Sequence, residues 1–158
     1  MNILTFDSAL TIRLLVAVVL GAIIGIERVL VHKEAGMKTH ALVSMGAALF
    51  IIISEAMAAK YMNLPGFNPT MMPSQIIVGI GFLGAGSIIL QGPRVLGLTT
   101  AGGLWVTAGI GMAAGFGLFS LAFTSTILVL FVFVVMYAIE APLRKISEKN
   151  SNGFKAEN

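Results

Sequence analysis

The chain of 158 residues contains no cysteine, which excludes a disulfide framework, a thiol nucleophile and any thiolate metal site. Charge is scarce too: 11% of residues are Asp, Glu, Lys or Arg, against roughly a quarter in soluble domains. So little charge cannot cover a water-facing surface without leaving apolar patches that aggregate. The seven acidic residues are dispersed and there are only two histidines, so neither a carboxylate cage for magnesium or calcium nor a zinc site is expected. Ser87 lies among glycines with no general base beside it. The chain reads as non-enzymatic, with no metal and no cofactor.

What is abundant points to lipid. Hydrophobic residues make up 57% of the chain, mean hydropathy is +0.95, and there are 18 glycines. The net charge of +3 comes from basic residues scattered between apolar runs, which suits membrane orientation better than nucleic-acid binding. A cleaved signal peptide is not expected, because MNILTFDSAL carries Asp7 and lacks a basic start.

A membrane-spanning helix needs about 20 mostly apolar residues. Five segments qualify, at about Ser8–Leu30, Thr39–Ala59, Pro73–Leu90, Leu98–Gly117 and Phe119–Glu140. The fold class is therefore all-α, a polytopic membrane domain over 1–141 followed by a short polar tail, 142–158, expected to be frayed. Arg28, Lys33 and Lys38, then Arg94, then Arg144, Lys145, Lys149 and Lys155 fall on one side of such a five-helix arrangement; Arg13 and Lys60 fall on the other. Eight basic residues against two place the N-terminus outside and the C-terminus in the cytoplasm.

The stretch VGIGFLGAGS contains a literal G-x-G-x-x-G in Gly79, Gly81 and Gly84, followed by Gly86. A dinucleotide-binding turn needs a preceding strand and an aqueous phosphate site. This stretch lies inside an apolar run, where an open strand would leave its amides unpaired. Two readings stay open. Small residues let membrane helices approach closely, and Ala17, Gly21 and Gly25 form such a face, as do Gly103, Thr107, Gly111 and Gly115, and Gly81 with Ala85. Alternatively, Gly79 to Gly86, followed by Gly92 and Pro93, unwinds the third helix and bares its backbone to an ion.

Ionisable groups near hydrocarbon are costly and usually paired. Glu27 and Arg28 form either a boundary pair, with Arg28 reaching to headgroups, or a cluster in which Glu27 faces Lys38, His40 or Arg94. His40, beside Thr39, reads as a hydrogen-bonded structural residue. Thr99 and Thr100 are candidate caps for the fourth helix, Gln75 needs a partner if buried, and Glu55 reads as an interface charge near Lys60. Trp105, about two turns into its helix, reads as a core residue.

Three blocks carry a family resemblance: GIERVLVHKEAGMKTHALV (25–43), QIIVGIGFLGAGSII (75–89) and GLTTAGGLWVTAGIGMAAGFG (97–117). In order and spacing they resemble the signature blocks of the MgtC/SapB family. The resemblance implies a bacterial inner-membrane protein associated with growth at low magnesium, and with survival inside host cells in pathogens. It also implies, through one branch, restraint of the rotary ATP synthase by contact with its membrane sector. It gives weight to Glu27, to Ala35, Gly36, Lys38, Thr39 and His40, to Gly79 through Gly86 and to Leu98 through Ala101. This sequence departs from the pattern in two places: Val29 stands where many members have a second acid, and Asn68, Pro69, Thr70 and Met71 stand where many have an Asp-Pro-x-Arg. It looks like the short, SapB-like branch, without the C-terminal ACT-like domain of longer members.

Two functions follow as expectations. One is a regulatory interaction protein that packs against a membrane partner or itself, with a dimer favoured. The other is a small oligomeric transporter or channel component using the glycine-rich third segment beside Glu27, His40 and Thr100.

Overall fold

In the computed structural model, residues 7–156 are described and form five helices joined by short connections. Helix α1 (Ser8–Leu30) starts where the Asp7 carboxylate accepts the amides of Ala9 and Leu10, an N-cap that satisfies two otherwise orphaned donors. It ends in a Schellman arrangement: Lys33 N–H donates to the Arg28 carbonyl at 2.9 Å and His32 N–H to that of Val29 at 3.0 Å. His32 occupies the left-handed position, φ 56°, where glycine is usual. Helix α2 (Met37–Tyr61) returns antiparallel, followed by α3 (Met71–Gly86), α4 (Leu98–Gly115) and α5 (Phe119–Ala156).

Helices α1, α2 and the Phe119–Glu140 part of α5 are long and apolar enough to cross a membrane. Helix α4 has 18 residues diluted by glycine, and α3 has only 16, a rise of about 24 Å at 1.5 Å per residue. The third apolar run thus stops being helical at Gly86 and does not continue to Leu90. Beyond it β1 (Ile89–Gln91) and β2 (Arg94–Leu96) pair antiparallel, with Ile89 opposite Leu96 and Gln91 opposite Arg94. Gly92, at φ +60°, takes the first loop position, as a tight two-residue hairpin requires. The hairpin pairs backbone groups that an irregular connection would leave bare beside the bilayer.

At the other end, helical backbone runs through Pro142 to Ala156, over most of the segment expected to fray. The residues after Pro142 include the good helix formers Arg144, Lys145, Glu148 and Lys149, which support continuation past the proline.

The interior is built of small side chains. Of the fourteen buried apolar residues among those described, eight are alanine, including Ala17, Ala48, Ala113, Ala114 and Ala122. The large apolar groups point outward: Phe82 is 81% exposed and Leu90 77%. This inside-out distribution is stable only where the surroundings are as apolar as the side chains. Trp105 follows it, lying 54% exposed on the surface of α4 instead of in the core.

Helix α2 is the hub. A Cβ added at Gly21 of α1 would sit 2.5 Å from the His40 carbonyl, and one at Gly25 would sit 2.8 Å from that of Gly36. From the other side, a Cβ at Gly111 of α4 would land on the Ser44 backbone, and one at Gly115 would sit 2.8 Å from the Ala48 carbonyl. Glycine is what allows both helices to lie directly on the α2 backbone.

Candidate functional site

Close packing on α2 places a line of polar groups inside the bundle. His40, one turn into α2, is fully buried. Its Nδ1 lies 2.9 Å from the Thr107 hydroxyl of α4, and that hydroxyl donates its only proton to the Gly103 carbonyl at 2.8 Å. Thr107 must therefore accept from histidine, so this network assigns the ring proton to Nδ1. Gly103 makes the room: a Cβ there would sit 3.1 Å from Phe133 and 3.5 Å from the His40 ring. On the same face of α2, one turn on, the Ser44 hydroxyl is buried without a hydrogen-bond partner among the described residues, as is His40 Nε2.

Glu27 and Arg28 extend the line toward the end of the bundle that carries the α1–α2 loop. Both are buried, and Arg28 Nε donates to the Glu27 carboxylate. The Arg28 guanidinium also lies 3.6 Å from the centroid of the Phe133 ring of α5, a desolvated cation–π contact. Arg28 therefore does not reach out to headgroups. Nor does Glu27 turn to the other cations: Lys38 and Arg94 are exposed and form no ion pair among the described residues. The immediate neighbour takes the hydrogen bond, and the buried His40 lies within electrostatic reach of both side chains.

The remaining sequence candidates divide. Thr39 and Thr99 are exposed, whereas Thr100 is 1% exposed. Neither Thr99 nor Thr100 caps α4: the N-cap is Gly97, at φ +88°, and no side chain bonds the first-turn amides. Only glycine fits at 97, because a Cβ would strike the Ser87 carbonyl. Gly79, Gly81 and Gly86 lie within helical α3 or at its end, so the segment is not unwound. Nothing lies within 4 Å of a Cβ added at any of the three, so they do not pack against another helix of the chain. Gly84 alone faces inward, in ordinary contact with Ala101 at 3.6 Å. Gln75 is exposed and lines an apolar groove of about 510 Å³ between α2 and α3, together with Gly46 and Gly79.

One polar site escaped the sequence reading. Arg13 of α1 donates to Glu55 of α2 at 2.5 Å and to the Gly115 carbonyl at the end of α4 at 2.9 Å. Glu55 thus pairs across the bundle and not with Lys60, which instead stands 5.1 Å from the Tyr61 ring. The signal was present: in an antiparallel pair closed by the short 31–36 loop, Arg13 and Glu55 stand level, and opposite charges at one depth seek each other.

Among the described residues no three metal-ligating side chains cluster. The chain matches the MgtC family over residues 14–141. It is 39% identical over 130 residues to the putative magnesium transporter YhiD of Escherichia coli strain K12, covering 81% of this chain and 60% of that protein. It is 45% identical over 119 residues to protein MgtC of Salmonella typhimurium strain LT2, covering 75% of this chain and 48% of that one. It is also 44% identical over 119 residues to an uncharacterized protein of Synechocystis, covering 75% of this chain and 48% of that one. The chain thus spans half to three-fifths of the length of these relatives. No solved structure matches.

Proposed function

Because this membrane protein belongs to the MgtC family, we propose that it is a non-enzymatic regulator of the bacterial inner membrane, tied to low-magnesium or stress adaptation. It acts by laying its α3 face against a helix of a membrane complex, the ATP synthase membrane sector being the first candidate. It crosses the membrane several times, with the N-terminus outside and the C-terminus in the cytoplasm, and works as a homo-oligomer, a dimer being favoured. The observation that carries the reading is the open α2–α3 groove. A Cβ at Gly46 or Gly79 would meet nothing within 4 Å, so the helix of another chain could approach closely there, with Gln75 as a polar anchor. Proton-pumping vesicles containing ATP synthase test it. The purified protein should alter pumping, and Gly79→Leu should abolish the effect while leaving the fold intact. Unchanged pumping together with no co-purifying membrane partner would sink it.

A second reading, a transport component, is favoured by the buried line Glu27–Arg28–His40–Thr107 and by the name of the Escherichia coli relative, putative magnesium transporter. Liposome flux of magnesium or protons decides: transport through that line should fall in Glu27→Gln, and the absence of any flux removes the reading.

A further inference from the structure

The hairpin between α3 and α4 has a surface that suits neither water nor hydrocarbon. Residues directly opposite in an antiparallel pair share a face, and successive pairs alternate between faces. Ile89 and Leu96 therefore lie on one face, and Leu90 and Val95 on the other. Both faces are apolar at the root of the hairpin, and polar side chains appear only in the pair beside the turn, Gln91 and Arg94. All six strand residues are exposed, Leu90 at 77% and Ile89 at 58%. A hairpin in water packs one face on a core and turns polar groups outward on the other. Two short strands with neither face packed away are marginal at best in that solvent.

Deep hydrocarbon is no better. The sheet has two strands only, so the outer edges of β1 and β2 carry amides and carbonyls that no third strand pairs among the described residues. Between the two media lies the headgroup layer, where apolar side chains reach acyl chains while water and headgroups bond the strand edges. The length of α3 agrees with that depth. Its rise of about 24 Å falls short of a hydrocarbon core of about 30 Å, so a chain entering α3 at one boundary leaves it before the other. The apolar root of the hairpin fills that shortfall, and its polar turn falls among headgroups. Lipid-facing groups border the hairpin in sequence on both sides: Phe82 of α3 is 81% exposed and Leu98, the first residue of α4, 60%.

We propose that the 89–96 hairpin is a membrane-interface wedge whose partner is the lipid bilayer itself. Leu90 and Val95 on one face, and Ile89 and Leu96 on the other, lodge at the acyl boundary, and Gln91 and Arg94 stand in the headgroup layer. The wedge completes the crossing that α3 is too short to make and fixes the depth of both α3 and α4. The inference stands apart from either functional reading above, since it concerns a different surface.

The absence of cysteine makes the test direct, because a single introduced thiol carries the only label. The full chain is reconstituted in vesicles of phosphatidylethanolamine and phosphatidylglycerol. Spin labels are placed at Leu90→Cys, Val95→Cys and Arg94→Cys, with Phe82→Cys as the lipid reference and Lys33→Cys, in the exposed α1–α2 loop, as the water reference. All five side chains are exposed, so the substitutions remove little packing, and circular dichroism checks that each variant keeps its helices. Power saturation then compares collision with oxygen, which concentrates in lipid, against a water-soluble nickel chelate. The oxygen-to-nickel ratio at Leu90 and Val95 should match that at Phe82 and exceed that at Lys33, and the ratio at Arg94 should match Lys33. The proposal is overturned if Leu90 or Val95 resembles Lys33, which puts the hairpin in water. It is equally overturned if Arg94 resembles Phe82, which puts the whole hairpin in hydrocarbon, or if Leu90 or Val95 is shielded from both reagents, which means that protein covers it.

Discussion

Replacing Gly111 by alanine adds a single methyl group, yet it should be among the most damaging small changes in this protein. The new Cβ lands on the carbonyl, carbon and Cα of Ser44, all backbone atoms of α2 that cannot rotate aside. Helices α2 and α4 must then part, and Gly115, which lies on Ala48 and Ile51 along the same seam, loses contact with them. Overpacking a tight site costs about 1–3 kcal/mol, and a rigid backbone neighbour puts this case at the upper end. Alanine's better helix propensity offsets about 1 kcal/mol, leaving a net loss of about 2 kcal/mol. Gly79→Ala is the matched control: it gains the same propensity and meets nothing within 4 Å, so it should be neutral or stabilising by up to about 1 kcal/mol. Denaturant unfolding in detergent micelles, followed by the fluorescence of the single tryptophan, Trp105 on α4, measures both. The reasoning fails if Gly111→Ala unfolds with the wild type, or if the two variants shift equally in the same direction.

Three further outcomes are expected. Glu27→Ala strands the Arg28 guanidinium in the interior and should cost about 3–5 kcal/mol, seen as loss of folded protein after extraction; Glu27→Gln, which keeps a hydrogen-bond acceptor, should cost less. Thr107→Val removes the acceptor of His40 Nδ1 and should cost about 1–2 kcal/mol, and a double-mutant cycle with His40→Ala should recover a coupling near 1 kcal/mol. Arg13→Gln breaks the Glu55 pair and the bond to the Gly115 carbonyl. Since Arg13 and Glu55 side chains are 25% and 40% exposed, the loss should be only about 1 kcal/mol, measured by the same unfolding assay.

Legibility from sequence followed the strength of the local signal. Long apolar runs bounded by loops located α1 to the residue, α2 to within two residues at each end and the start of α5, because hydrocarbon demands a continuous helix; α5 continues past the expected Glu140 to Ala156. The third run was placed two residues late at its start and four residues too far at its end. Apolarity does not distinguish a buried helix end from a hairpin, and the turn at Gly92 and Pro93 was read as helix breaking and not as strand pairing. The glycine spacing at 21, 25, 111 and 115 marked faces that lie on α2. The same spacing in α3 was ambiguous, since an open groove and a packed seam are written with the same small residues.

Sequence alone settled the solvent: with 57% apolar residues and little charge, only lipid can surround this chain, and helices follow from the need to pair every backbone amide there. Tertiary structure decided which polar groups meet. Arg13 with Glu55, His40 with Thr107 and Arg28 over Phe133 each join residues 42 or more positions apart. Such pairings depend on the rotation and depth of each helix about its neighbour, and these are set by where glycine and alanine let backbones touch.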